Sequence, residues 1–282
     1  MPDDLKSILV TGANSGIGLA TAEYLASHGF HVYAGARNPD TLAELCKNQK
    51  ITPLKLDVTR ADDVLEAKKI IQQQTMGLFG LVNNAGITQA GPLMDVSLDD
   101  LREQFEVNVF GVHQITQAVF PLLHEAKGRI VMMSSDSGFF ATPFVGPYCS
   151  SKFALEGYSD SLRREVVPHG MKVILIEPGR IQTPIWGKAE KIIRDEKYAQ
   201  SIFWKEAQAM GSYAIRKGKA GGLPPVEVAK IVYAALTLEH PKLRYIVAEN
   251  KFEYQLMRIL PAWYVDQMVI RKVRKVTREE NA

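Results

Sequence analysis

The chain has 282 residues, of which 46% are hydrophobic and 23% charged, and its formal net charge is only +3. This length suits one large α/β domain or two small ones, and the low charge gives no reason to expect a nucleic-acid partner. The two cysteines, Cys46 and Cys149, lack metal-ligand spacing and fit a reducing compartment. We therefore predict no metal site.

The N-terminal sequence MPDDLKSILV is acidic and then briefly apolar. It lacks the basic region and the long apolar region of a secretory signal. No stretch reaches about 18 uninterrupted apolar residues, the length of a membrane-spanning helix. We therefore expect a cytoplasmic protein.

The first motif is a strand, a glycine-rich turn and a helix. Ser7–Val10 is a short β-favouring run, TGANSGIG follows at 11–18, and a helical pattern then ends at Gly29. Three glycines there would allow a tight turn, close approach of a pyrophosphate and close packing of the helix. The free N–H groups and the dipole at a helix start favour an anion. A bare turn is the alternative, but the strand–helix setting predicts dinucleotide binding by Gly12, Asn14, Ser15, Gly16, Ile17 and Gly18.

The second strand, His31–Ala36, is followed by Arg37. In dinucleotide-binding folds this strand end meets the adenine ribose, where a carboxylate would bind both ribose hydroxyls. No carboxylate is present, and a guanidinium fits a 2′-phosphate. The sequence therefore favours NADP(H). NAD(H) remains possible if Arg37 is only a solvated loop residue.

Two further strands carry polar residues at their ends. The third, 51–60, contains Asp57 and Val58 and precedes a helical pattern at 61–74. Asp57 could accept a hydrogen bond from an adenine amino group, or it could equally cap that helix. The fourth strand, 80–87, runs into a polar turn. Its candidate cofactor-binding residues are Asn84, Ala85 and Gly86.

A long helical pattern covers 97–123, and Ser97 with Asp100 resembles an N-capping arrangement. Asn108 lies in the middle of this pattern. Asparagine is unfavourable inside a helix because its side chain competes with the backbone. A buried Asn108 therefore suggests a function, although a satisfied core asparagine is equally consistent.

The most informative spacing joins a tyrosine to a lysine. A fifth strand at 128–134 is followed by Ser135, and Tyr148 and Lys152 lie four residues apart where a helix at 150–167 begins. Residues at i and i+4 share one helix face, so the ammonium would favour the phenolate and lower the pKa of Tyr148. Tyr148 would then serve as a general acid/base, and Ser135 could bind a substrate oxygen. A simple surface pair is the alternative.

The remaining elements complete an alternating pattern. A sixth, nearly all-apolar strand at 171–179, a helix at 224–236 and a seventh strand at 243–250 follow in order. Apolar strands alternating with helices predict a doubly wound parallel sheet of about seven strands with helices on both faces. We expect a single-domain Rossmann fold over residues 1–250.

Residues 180–222 follow a strand end, where open α/β sheets bind ligands. We interpret this segment as a substrate lid with an apolar lining, although ordinary core packing is an alternative. The residues that suggest a lining are Trp186, Tyr198, Phe203, Trp204, Met210 and Tyr213.

The tail, 251–282, is an amphipathic basic extension. Its apolar members are Leu256, Ile259, Leu260, Trp263, Tyr264 and Met268. Its basic members are Arg271, Lys272, Arg274, Lys275 and Arg278. Such a segment could cover the active site, pack on a partner subunit or contact an anionic membrane surface peripherally.

Taken together, these motifs resemble the classical short-chain dehydrogenase/reductase family, and less specifically its branch of retinol and 17β-hydroxysteroid dehydrogenases. Any one motif is weak, but the whole set in the family's order is specific. The matching positions are Thr11–Gly18, Asn83–Gly86, Asn108, Ser135, Tyr148 with Lys152, and Pro178–Thr183.

The resemblance implies a catalytic tetrad. Tyr148 would exchange a proton with the substrate oxygen, Lys152 would bind the nicotinamide ribose, Ser135 would hold the substrate, and Asn108 would position a relay water. The expected reaction is hydride transfer between NADP(H) and a hydrophobic alcohol or carbonyl compound of steroid, retinoid or fatty type. The further cofactor-binding residues that it implies, beside Tyr148 and Lys152, are Pro178, Gly179, Ile181 and Thr183.

Two alternative functions stay open. A catalytically idle scaffold on the same fold would bind the cofactor without turnover. An epimerase or dehydratase would need another acid/base group, for which Asp136 is a weak candidate because a solvated loop acid fits it better. The resemblance also implies a homodimer through helices 97–123 and 150–167, or a homotetramer.

Overall fold

The computed structural model describes residues 6–42, 47–184, 187, 190 and 197–280. Seven parallel strands form one sheet in the order β3-β2-β1-β4-β5-β6-β7. The order reverses between β1 and β4, which places the topological switch point at the centre of the sheet. The strands are β1 Ser7–Thr11, β2 His31–Ala36, β3 Ile51–Lys55, β4 Gly80–Asn83, β5 Arg129–Met133, β6 Lys172–Pro178 and β7 Arg244–Val247.

Helices cover both faces of this sheet. Those of the core are α1 Gly16–Ser27, α2 Ala61–Gln74, α3 Leu98–Phe105, α4 Gly111–Glu125, α5 Gly146–Val166, α6 Trp204–Ala220 and α7 Pro225–Thr237. Helices α1 and α7 pack on one face, whereas α2, α4 and α5 pack on the other. Along β1, Ile8 and Val10 enter the first core and Leu9 enters the second, because successive side chains of a strand point to opposite faces. The predicted doubly wound fold is confirmed.

The helix predicted over 97–123 is not continuous. Ser97 caps α3 by accepting a hydrogen bond from the Asp100 amide at 3.1 Å, as predicted. Residues Glu106–Phe110 then form a π-helical turn before α4 begins. The continuous-helix prediction is therefore wrong at this turn, which contains Asn108. Single π turns inserted in helices often mark functional sites.

Two other predicted boundaries also differ. Helix α5 begins at Gly146 rather than at residue 150, with Pro147 in its first turn, so Tyr148 is already helical. Proline is favoured there because its missing N–H is not needed. Strand β3 ends at Lys55, so Asp57 lies in the following turn. Gly29 has φ +91° directly after the C-cap of α1, which fits its predicted role in ending that helix.

The C-terminal segment forms two helices, α8 Lys251–Ile259 and α9 Ala262–Glu280. The second half of α9 packs against α6, with Val276 and Met210 buried in their interface. Whether the chain divides at residue 250 stays a prediction. Within the part of the chain that the structure describes, no helix is both long and apolar enough to span a bilayer.

Some predicted features lie outside the described residues. These are Cys46, Trp186 and most of the first helical piece of the 180–222 segment.

Candidate active site

A cleft of about 1120 Å³ opens at the carboxyl ends of the parallel strands. Its walls come from the glycine turn, the segments after β2 to β6, helix α6 and the C-terminal helices. Most of the predicted site residues line this cleft. They are Gly12, Asn14, Ser15, Gly16, Ile17, Arg37, Asp57, Val58, Asn84, Ala85, Gly86, Ser135, Tyr148, Lys152, Pro178, Gly179, Ile181 and Thr183.

Gly18 and Asn108 do not line the cleft, but both support residues that do. A Cβ added at Gly18 would lie 2.2 Å from the main-chain oxygen of Gly12, so only glycine permits α1 to pack this closely. Gly12 itself has φ +65°, in the left-handed region. The Asn84 side chain donates to the main-chain oxygens of Thr11 at 2.9 Å and Gly12 at 3.2 Å. This amide therefore fixes the glycine turn to the end of β4.

The turn leaves the start of α1 open. Ser15 is the N-cap, and its side chain makes no capping hydrogen bond. The side chains of Asn14 and Ser15 are exposed at the cleft. The first amides of α1 therefore point to a space where an anionic group can approach the backbone. This arrangement fits the pyrophosphate of a dinucleotide.

Arg37 and Asp57, which follow β2 and β3 in the chain, also line the cleft. Arg37 is exposed directly after β2. Asp57 Oδ1 accepts hydrogen bonds from the Thr59 amide at 3.0 Å and the Thr59 hydroxyl at 2.7 Å. Asp57 therefore closes a turn before α2 rather than capping the helix, whose N-cap is Arg60.

Ser135 and Tyr148 line the same cleft. The Ser135 hydroxyl acts on the Tyr148 phenol and by itself lowers the pKa of that group. Ser135 Oγ also donates to Asp136 Oδ1 at 2.8 Å and accepts from the Ser137 amide at 3.2 Å. Burial raises the pKa of Tyr148 well above its usual value.

Lys152 lies one turn beyond Tyr148 on the same face of α5. Its Nζ donates to the main-chain oxygen of Met133 at 2.8 Å and lies 5.6 Å from the centroid of the Tyr148 ring. Burial lowers the pKa of Lys152 to about 8. The shared face is confirmed, but the predicted lowering of the Tyr148 pKa is wrong for this structure. Burial of the phenol is the largest cause of the raised pKa, the Asp136 carboxylate adds to it, and the Ser135 hydroxyl offsets it only in part.

Asn108 is buried in the π turn and is fully engaged. Its Oδ1 accepts from the Ile87 amide at 2.9 Å, and its Nδ2 donates to the Ile87 oxygen at 3.1 Å and to Ser151 Oγ at 3.1 Å. The π turn aims this side chain at the segment after β4. Asn108 thereby connects that segment to α5, the helix that carries Tyr148 and Lys152.

Comparisons with known proteins agree with this geometry. The sequence model of the family described as short chain dehydrogenase matches residues 6–193. An NADPH-dependent 3-dehydrocapnine reductase from Ornithobacterium rhinotracheale is 35% identical over 288 residues, covering 98% of this chain and 100% of that protein. The uncharacterized oxidoreductase YbbO from Escherichia coli K12 is 37% identical and covers 94% of both chains.

The same relationship is visible in three dimensions. A crystal structure of a short-chain dehydrogenase from Streptomyces avermitilis superposes with a TM-score of 0.77 at 26% identity, covering 98% of both chains. The chain belongs to the short-chain dehydrogenase family. It is an oxidoreductase of the class that acts on CH–OH groups. The finer resemblance to the retinol and 17β-hydroxysteroid branch stays a prediction.

Residues of the predicted lid line one part of the cleft of this short-chain dehydrogenase, which we call its substrate half. The part at the glycine turn is its cofactor half. Tyr198, Trp204, Met210 and Tyr213 face the cleft, whereas Phe203 does not line it and is 40% exposed. Both the lining and the core interpretations hold for Met210, which faces the cleft and packs against α9.

Two residues of the C-terminal helices, Tyr254 and Lys272, line the cleft. The sequence allows the tail to cover the active site, but no motif in it marks these two residues as part of the cleft. Tyr254 packs closely on Gly179, since a Cβ at that glycine would lie 2.9 Å from Tyr254 Oη. The nearby Asp136 carboxyl raises the pKa of the Tyr254 phenol, in addition to the effect of burial. The C-terminal segment therefore forms part of the cleft. Asp136 is partly buried and engaged, so its interpretation as a solvated loop acid is wrong.

Proposed function

We propose that the chain is an NADP(H)-dependent oxidoreductase that transfers a hydride between the nicotinamide and a hydrophobic alcohol or carbonyl substrate. The supporting observation is that one cleft combines a glycine turn at a helix start with Ser135, Tyr148 and Lys152. A steroid, retinoid or fatty compound fits the aromatic and aliphatic lining of the substrate half. When bound, the cofactor supplies or accepts the hydride.

The protein's own residues then handle the proton. In the reductive direction, Ser135 turns its hydroxyl toward the substrate carbonyl oxygen and polarises it. Tyr148, kept neutral by its raised pKa, gives its proton to the same oxygen. In the oxidative direction, the phenol oxygen takes the alcohol proton. Lys152 supplies the positive charge that stabilises the phenolate once it forms.

Lys152 and Asn108 complete the proposed tetrad. We assign Lys152 to the nicotinamide ribose because its ammonium lies at the cleft wall beside Met133. Asn108 holds Ile87, whose neighbours line the cleft, and in this proposal it positions a water that returns a proton toward Lys152.

NADP(H) is preferred over NAD(H) in this proposal because Arg37 offers a cation where a 2′-phosphate would lie. The relative from Ornithobacterium rhinotracheale is named as NADPH-dependent. The remaining dinucleotide contacts are those of the cofactor half of the cleft described above.

The test is turnover. Purified protein is mixed with NADPH and a panel of apolar ketones and aldehydes, and absorbance at 340 nm is followed. Tyr148→Phe should abolish turnover and leave NADPH binding within about twofold, because the phenol acts on substrate rather than on the nucleotide. Near-normal turnover by Tyr148→Phe would refute the mechanism. Cofactor binding without turnover of any substrate would favour the idle scaffold.

A homodimer or homotetramer is part of the proposal. Helices α4 and α5 would form the interface, as the resemblance implies. Phe110, just before α4, and Phe153 on α5 are 54% and 45% exposed, which is unusual for side chains of this size. Light scattering after size exclusion should give at least twice the monomer mass of 31.4 kDa.

The last part of the proposal is that the protein lies in the cytoplasm and contacts a membrane peripherally. The corner between α8 and α9 exposes Phe252, Ile259 and Trp263, each by more than two thirds, and basic residues of α9 follow it. Aromatic side chains with a nearby basic stretch suit an anionic lipid surface. Flotation with phosphatidylserine vesicles should recover the protein at low salt and lose it in 0.5 M salt, a concentration that screens charges beyond roughly 4 Å.

A further inference from the structure

Asp136 is a carboxylate in the catalytic cleft that the proposed hydride-transfer mechanism does not use. It follows Ser135 directly and lines the same cleft. Its Oδ1 accepts from the hydroxyls of Ser135 at 2.8 Å and Ser137 at 3.3 Å, and the Tyr254 phenol is a further partner. These donors and the Ser137 amide are all neutral groups.

No positive group compensates this carboxylate. Within the described ranges, no lysine, arginine or histidine nitrogen lies within 4.0 Å of an Asp136 oxygen. Arg244 and Arg258 pair instead with Glu156, Asp160 and Glu177. Removal from water raises the pKa of Asp136, which shows that its ionised form is poorly stabilised. A cationic ligand bound here would supply the positive charge that the Asp136 carboxylate lacks.

Catalysis itself takes away one of these donors. Ser135 has a single hydroxyl proton, and in the ligand-free protein it is directed to Asp136. To polarise a substrate oxygen, Ser135 must turn that proton away from Asp136. The carboxylate then loses a charge-assisted hydrogen bond, unless the substrate replaces it.

We propose that Asp136, supported by Tyr254, forms a subsite for a protonated amino group on the carbon next to the reacting carbon of the substrate. This inference rests on the proposed function. It specifies the substrate as a vicinal amino ketone or amino alcohol with an apolar remainder.

The geometry suits such a substituent. In an O–C–C–N unit with a gauche torsion, nitrogen and oxygen lie on the order of 3 Å apart. An oxygen bound to Ser135 therefore brings a neighbouring ammonium within reach of Asp136 Oδ1, since Ser135 Oγ and this atom are themselves 2.8 Å apart. The ammonium takes the place of the lost hydroxyl donor and pairs with the carboxylate.

The experiment compares matched substrates of one chain length, octan-2-ol, octane-1,2-diol and 1-aminooctan-2-ol, oxidised with NADP⁺ at pH 7.5. The wild-type enzyme should favour the amino alcohol over octan-2-ol by about ten- to hundredfold in kcat/KM, mainly through KM. The diol should fall between them, because it offers a neutral donor. A diol that equals the amino alcohol would overturn the cationic assignment.

Two variants test the assignment: one should abolish the preference and the other should preserve it. Asp136→Asn should reduce the amino alcohol/octan-2-ol ratio to about one or below, since the amide carries no charge. Tyr254→Phe keeps the ring against Phe139 but removes a donor from Asp136, so the ratio should stay or rise. Asp99→Asn, a carboxylate-to-amide change at an exposed surface pair, should leave the ratio unchanged.

The outcomes separate this inference from the proposed function. If octan-2-ol is turned over but the amine confers no advantage, or if Asp136→Asn keeps the full preference, the subsite is refuted and the oxidoreductase stands. If no alcohol in the series is oxidised and no ketone is reduced, the proposed function fails and this subsite fails with it.

Should Asp136→Asn not fold, N-acetylated 1-aminooctan-2-ol is compared with the free amine as a substrate of the wild-type enzyme. Equal kcat/KM for the acetylated and free amines overturns the subsite, and a loss of about tenfold or more supports it.

Discussion

The ammonium nitrogen of Lys152 lies 2.8 Å from the main-chain oxygen of Met133 and 5.6 Å from the centroid of the Tyr148 ring. The two reactive groups of the motif thus share a helix face, and both are shielded from water. Shielding acts on them in opposite directions, because it disfavours the charged form of each. The ligand-free enzyme therefore keeps the phenol protonated and brings the pKa of the lysine close to physiological pH, where most of the lysine still carries its positive charge.

This arrangement predicts a pH-dependent stability. The pKa of Lys152 falls from 10.5 to about 8 on folding, so between these values the unfolded chain binds the extra proton. Stability should therefore rise with pH across this window, by about 3 kcal/mol in total for this group. Urea unfolding of the ligand-free wild type and of Lys152→Met, from pH 7.5 to 10.5, measures the difference. A difference that is flat across the window would show that Lys152 does not titrate there.

The next prediction concerns Asn108, whose three hydrogen bonds join Ile87 and Ser151. Asn108→Leu has a similar volume but leaves the Ile87 amide without its partner, while the Ile87 oxygen keeps only the Gln104 side chain as a donor. Each buried group left unsatisfied costs about 1–3 kcal/mol, so the free energy of unfolding should fall by about 2–4 kcal/mol. Thermal and urea unfolding measure this loss. Asn108→Asp keeps the acceptor for the Ile87 amide but buries a carboxylate against the Ile87 oxygen, so it should also lose stability at pH 7 and regain part of it at acidic pH, where the carboxyl is protonated; no regain at acidic pH would contradict this account.

The sequence predicted the doubly wound parallel sheet and most of the cleft because local patterns determine them. Apolar strands such as β6 and the glycine turn at Gly12–Gly18 depend on nearest neighbours and on steric limits. The π turn around Asn108 was not predictable in this way. Its side chain bonds to Ile87, 21 residues away, and no helical periodicity records that contact.

The direction of the Tyr148 pKa was missed for a related reason. The i, i+4 spacing gives the distance between Tyr148 and Lys152, but the sequence does not reveal that both are desolvated or that Met133 binds the ammonium. The contribution of Tyr254 was missed because it lies 118 residues after Asp136 and reaches it only through the packing of α8 on the finished sheet. Long-range partners of buried polar groups are the part that local patterns do not specify.

Cofactor preference should depend on Arg37. In Arg37→Asp, a carboxylate replaces the guanidinium after β2, repels a 2′-phosphate and can accept from a ribose hydroxyl. The ratio of kcat/KM for NADP⁺ to that for NAD⁺ should fall by about a hundredfold or more, given about 1.5–3 kcal/mol for the lost charged hydrogen bond plus the new repulsion. Steady-state kinetics with both cofactors measure it. Arg60→Asp is the matched control after β3, and an Arg37→Asp ratio no lower than that of the control would remove Arg37 from cofactor recognition.

The last prediction concerns the attachment of α8 over the active site. Glu177 at the end of β6 is fully buried and pairs with Arg258 of α8, while Arg244 lies 3.4 Å away. The Arg258 guanidinium also stacks on the Phe139 ring, 4.0 Å from its centroid. Removing one partner of a buried pair leaves an uncompensated charge, although Arg244 retains part of the compensation.

Arg258→Met should therefore lower the free energy of unfolding by about 2 kcal/mol, less than the full loss expected for an isolated buried pair. Adding Glu177→Gln removes the stranded charge and should restore part of that loss, which a double-mutant cycle of urea unfolding measures. Arg102→Met breaks only an exposed pair with Asp99 and should change stability by less than about 0.5 kcal/mol. Because α8 carries Tyr254 into the cleft, Arg258→Met should also raise KM for substrate more than it lowers kcat. Additive effects of the Arg258 and Glu177 substitutions would show that the two residues do not act as a pair.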